Sequence, residues 1–157
     1  MAKPYSWVSQ GFSYSLVRFQ MKIQFTISYT REEYLSIVTD HVLELSRDKL
    51  RKKNPAKAET ASFYFTKIFV RLMGSVAFIF KKRKMPVCEF VFTPEKITRT
   101  TALGILEVTW AEIVRIGEYH GGMIIFKNSG GMPIPYRCID DSERTWILKA
   151  QKDAQEI

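Results

Sequence analysis

With 157 residues, 46% apolar and 25% charged, the chain fits one self-supporting domain, or a compact domain with an accessory segment. Two cysteines exclude a disulfide framework, and two histidines leave little material for a metal centre. The formal charge of +8 is concentrated, because Arg47–Lys84 holds twelve basic and two acidic residues while the remainder nets −2.

Residues 1–20 contain no acidic group and no continuous apolar run. They read as an N-terminal extension, neither signal peptide nor membrane helix, with Met21 as an alternative start and an extra strand expected over Phe12–Phe19. From Lys22 to Tyr29 the pattern alternates: Ile23, Phe25 and Ile27 point one way, Gln24, Thr26 and Ser28 the other, as in a half-buried strand. Thr30 and Glu33 have capping-box spacing. Leu35, Val38, Val42 and Leu45 then mark one helix face, with Arg47, Lys49 and Arg51 complementing the dipole at its end and Asn54-Pro55 as the stop.

Ser62–Phe80 is 19 residues long, close to the ~20 a membrane helix needs. Lys67 and Arg71 lie inside it, and each costs roughly 2.5–3.5 kcal/mol at a bilayer centre. Lys67, Arg71 and Ser75 recur every four residues, giving a helix one narrow polar stripe, and Lys81, Lys82, Arg83 and Lys84 close the segment. Three helical readings follow: packed on a sheet, lying at a membrane interface, or spanning. A strand or hairpin through Gly74-Ser75 is the fourth.

From Pro86 the pattern is β. Cys88, Phe90 and Phe92 alternate with Glu89 and Val91, and Thr93–Lys96 makes a turn. Ile97–Thr101 pairs with that strand, and Leu106, Val108 and Trp110 share one face of the next. Gly121-Gly122 and Asn128–Gly131 punctuate an antiparallel meander. A helix from about Ser142 follows, capped by Asp140–Glu143 and burying Trp146, Ile147 and Ala150. The expected fold is therefore α+β: an antiparallel sheet or partial barrel with a C-terminal capping helix, in three stretches, 1–20, 21–85 and 86–157.

Several strands closed by one C-terminal helix is the layout of pleckstrin-homology-like domains. Val108–Glu118, then Ile134-Pro-Tyr-Arg137 before an acidic helix cap, resembles the bacterial YcxB-like family. The resemblance covers about Phe90–Lys152 and, more faintly, Ile23–Leu45. It implies an apolar hairpin of two membrane helices ahead of the sheet. This chain has one apolar segment there, and it carries charges, which favours a soluble or peripheral version.

No catalytic pattern emerges. HExxH, CxxC and a phosphate-cradling glycine loop are absent from the sequence, so no metal or cofactor is expected. His120 reads as a turn residue, and pairing it with Cys138 as a nucleophile rests on residue type alone. Both cysteines fall in expected strands and read as reduced core residues of a cytoplasmic protein. Trp110 reads as core rather than as a binding residue.

The expected function is non-catalytic protein binding, by a small bacterial immunity or regulatory protein that occupies a partner's surface, such as a cognate toxin. The alternative is a peripheral protein docking its Arg47–Lys84 half on anionic lipid at the inner face of the membrane. The candidate contact residues are Lys67, Arg71, Lys81, Lys82, Arg83 and Lys84, with Arg115, Lys127 and Arg137 as a basic sheet face. Nucleic acid is disfavoured, because the apolar density around Phe63–Phe80 is too high for a solvated stacking platform.

Overall fold

A computed structural model describes residues 22–53, 61–84 and 86–156. The strand expected over Phe12–Phe19 and the stop at Asn54-Pro55 lie outside these residues. In chain order the elements are β1 (Ile23–Ile27), α1 (Arg31–Lys53), α2 (Ala61–Lys84), β2 (Cys88–Phe92), β3 (Lys96–Thr101), β4 (Gly104–Thr109), β5 (Ile113–Tyr119), β6 (Gly122–Lys127), β7 (Gly130–Pro135) and α3 (Asp141–Gln155). Single 3-10 turns cover Trp110–Glu112 and Tyr136–Cys138. The strands form two antiparallel sheets, one of four in the order β1-β2-β3-β4 and one of three in the order β5-β6-β7.

The alternation in β1 does what its period requires. Ile23, Phe92, Ile97 and Val108 lie opposite one another across the four-stranded sheet and are all buried. β1 pairs with β2, so the strand before the two helices and the strand after them share one sheet. Across the core, the three-stranded sheet contributes Met123, Ile125, Met132 and Ile134. α3 closes one corner: Ile147 is fully buried, and Trp146 meets Trp110 edge-on at 5.8 Å. Its cap is the expected one, with the Asp140 carboxylate accepting from the Glu143 amide at 2.8 Å.

Three expectations need correcting. Trp110 is buried as expected, but in a 3-10 turn after β4 rather than on the strand, and its indole N–H donates to the Thr93 carbonyl. Cys138 likewise sits in a half-buried 3-10 turn, not a strand. In α1, Ile37 is fully buried while Leu45 is exposed, so the stripe Leu35-Val38-Val42-Leu45 is not the single buried face. The reason is that α1 packs on two sides. Ile37 lies over the Gly121-Gly122 turn, whereas Leu35 packs on Gly74 of α2. A helix wedged between a sheet and another helix buries two narrower stripes instead of one wide one.

Candidate functional site

α2 is the element that the fold leaves open. Its polar stripe faces α1: the Arg31 guanidinium donates to Ser75 Oγ at 2.9 Å, and Arg71 reaches Glu32 at 3.3 Å. Phe78 is the one buried large side chain of its described face, packed against Tyr34 and part of the core. The helix is continuous through Gly74-Ser75, so the hairpin reading does not hold. It also packs chiefly on α1 rather than on a sheet.

On the other side, Ile68, Phe69, Leu72, Met73, Val76, Ile79 and Phe80 are each between 48% and 65% exposed. With 100° per residue, all seven fall in an arc of about 140°. From ordinary side-chain areas they present on the order of 800 Å² of largely apolar surface, above the ~300–600 Å² of the largest patch on a typical monomer. Lys82, Arg83 and Lys84 are exposed at the C-terminal end, with the Lys82 ammonium 5.7 Å from the Phe78 ring. Lys81 belongs to the same last turn. No described helix is long and apolar enough to cross a membrane.

Between α1 and α2 runs an open groove of about 370 Å³, lined by Glu32, Leu35, Ser36, Thr39, Asp40, Lys67 and Arg71. Its charges are mixed, so Lys67 and Arg71 do not form a purely cationic seat.

The predicted basic sheet face does not assemble. Arg115, on β5, stacks over the Phe126 ring at 4.3 Å. Lys127 ends β6, where its charge adds to the Thr109 amide and hydroxyl hydrogen bonds that hold the Glu112 carboxyl below its ordinary value. Arg137 lies in the turn after β7, where it donates to both oxygens of the Glu33 carboxylate and to the Ser28 carbonyl. The three groups serve three different local structures.

Two features escaped the sequence reading. The first is a clamp at the α1–β5 contact, where His41 Nδ1 lies 2.7 Å from the Tyr119 hydroxyl and 3.5 Å from the Arg115 guanidinium. Burial, with the Arg115 charge beside it, pushes the imidazole pKa below its ordinary value. Burial also pushes the Tyr119 phenol up to about 12. The second is Arg99, on the inward side of β3, whose buried Nε has no hydrogen-bond partner. No periodicity marks either feature, because both depend on which strands become neighbours. As for chemistry, burial pushes the Cys138 thiol up, away from the thiolate a nucleophile needs.

No family model, no curated protein and no solved structure matches this chain.

Proposed function

We propose that this chain is a non-catalytic, peripheral membrane module that lies on anionic lipid through α2. The observation that carries the reading is the seven-residue apolar face of α2, exposed on a helix whose last turn is Lys81-Lys82-Arg83-Lys84. An apolar face with lysine and arginine at its border is what an interfacial helix requires: apolar side chains enter the acyl boundary while cations remain among the headgroups. Each basic residue near the surface adds about 1 kcal/mol of attraction to an anionic leaflet. On this reading the strands are the frame. Seven antiparallel strands in sheets of four and three, closed by a C-terminal helix, support a pleckstrin-homology-like assignment, with kinship to the YcxB-like family through Val108–Glu118 and Ile134–Arg137. Occupation of a protein partner's surface, as by an immunity protein, is the competing reading, and no feature of the described surface favours it over lipid.

Co-sedimentation with phosphatidylglycerol-containing and pure phosphatidylcholine vesicles tests the proposal. Binding should be at least tenfold stronger to the anionic vesicles at 0.1 M salt and should weaken on raising the salt to about 0.5 M, where the screening length shrinks. Protein left in the supernatant with anionic vesicles would overturn the proposal.

A further inference from the structure

Among the described residues outside α2, the two most exposed large apolar side chains are Leu103 and Ile105, 68% and 69% exposed, at the tight β3–β4 turn. Gly104 sits between them at φ +125°, a conformation that leaves the turn narrow and projecting. Register fixes where this turn stands. Cys88, Thr101 and Gly104 are neighbours across β2, β3 and β4, so the turn lies about 10 Å from the start of β2. Val87, also exposed, precedes β2, and Lys84 ends α2 only four residues before Cys88. The apolar turn and the basic end of α2 therefore belong to one end of the molecule.

Arg99 lies two residues before Thr101, roughly 7 Å along β3 from the turn. It shares a cross-strand row with Phe25, Phe90 and Leu106 on the inward side of the sheet. Its Nε is buried without a hydrogen-bond partner, and it makes no ion pair among the described residues. A half-buried cation left unpaired is costly unless an anion completes it.

We infer that this end of the four-stranded sheet is a second membrane contact, in which Leu103 and Ile105 enter the apolar boundary and Arg99 takes the phosphate of one anionic lipid. The inference rests on the α2 docking reading, which it deepens by fixing how the frame stands on the bilayer. Two contacts at one end restrain rotation about the α2 axis, which a single helix on a flat surface does not.

Vesicle binding of four proteins separates the claims: wild type, Leu72→Asp/Val76→Asp in α2, Leu103→Asp/Ile105→Asp in the turn, and Arg99→Met. All the aspartate sites are exposed, so thermal midpoints should match wild type. The α2 variant should lose binding, and if it binds normally the docking reading itself fails. The turn variant should bind ten- to thirtyfold more weakly. Arg99→Met should keep or raise the midpoint, while losing about fivefold in affinity for phosphatidylglycerol vesicles and nothing for phosphatidylcholine. If the α2 variant is lost but the turn and Arg99 variants bind as wild type, α2 docks alone and this inference is wrong. A lowered midpoint for Arg99→Met with unchanged lipid selectivity would make Arg99 structural and overturn its assignment.

Discussion

Arg137 shows how a residue that resembles a binding group in the sequence can belong to the frame. It ties the turn after β7 to the N-terminus of α1 by donating to the Glu33 carboxylate and the Ser28 carbonyl. Glu33 also closes the expected capping box, accepting from the Thr30 amide at 3.0 Å. These donors, Arg137 first, hold the Glu33 carboxyl at about 2, below its ordinary 4.5. Because the folded value is the lower one, the stability it contributes is complete above pH 4.5 and is lost as pH falls through about 2. Arg137→Ala should move the Glu33 titration, followed by NMR, back toward 4.5. Half of the Arg137 side chain is exposed, so solvent screening limits the cost to about 1 kcal/mol. A Glu33 carboxyl that stays near 2 in the variant would contradict this account of the pair. The capping box was legible because its two residues are three apart. The Arg137 contact was not, since it joins residues 104 apart whose meeting depends on the whole sheet order.

At the scale of elements, period-two patterns identified β1 and β2, and the acidic cap identified α3, because each signal is local to the element. The path of α2 was less legible: its composition suits a packed, interfacial or spanning helix alike, and which of its faces α1 covers is not a local property of the sequence. Close approach is a further property that sequence does not show. At Gly122 an added Cβ would stand 2.4 Å from the Ile134 carbonyl oxygen, 2.7 Å from Ile37 Cδ1 and 3.0 Å from Pro135 Cα. Two of these are backbone atoms of the paired strand, which cannot rotate away. Gly122→Ala should therefore destabilise by about 3 kcal/mol, the upper end of overpacking costs, in chemical denaturation. A loss under ~0.5 kcal/mol, the size of an ordinary surface change, would mean that α1 and β7 sit less tightly on β6 than described.

For the whole molecule, the uneven charge visible in the sequence acquires a geometry. The strands and α3 form a nearly neutral frame around the buried core, whereas α2 turns seven large apolar residues outward and ends in four cations. A frame of this size gains nothing in solution from leaving seven large side chains in water, which is why the outward face, and not the core, is where function is to be sought. The most direct test places a reporter on that face. Leu72→Cys, in a Cys138→Ser background that leaves only the buried Cys88, can carry an environment-sensitive fluorophore. On anionic vesicles its emission should shift to the blue and be quenched most by lipids labelled about 5–10 Å below the headgroups. An emission unchanged by anionic vesicles, or quenching strongest at the bilayer midplane, would contradict the account.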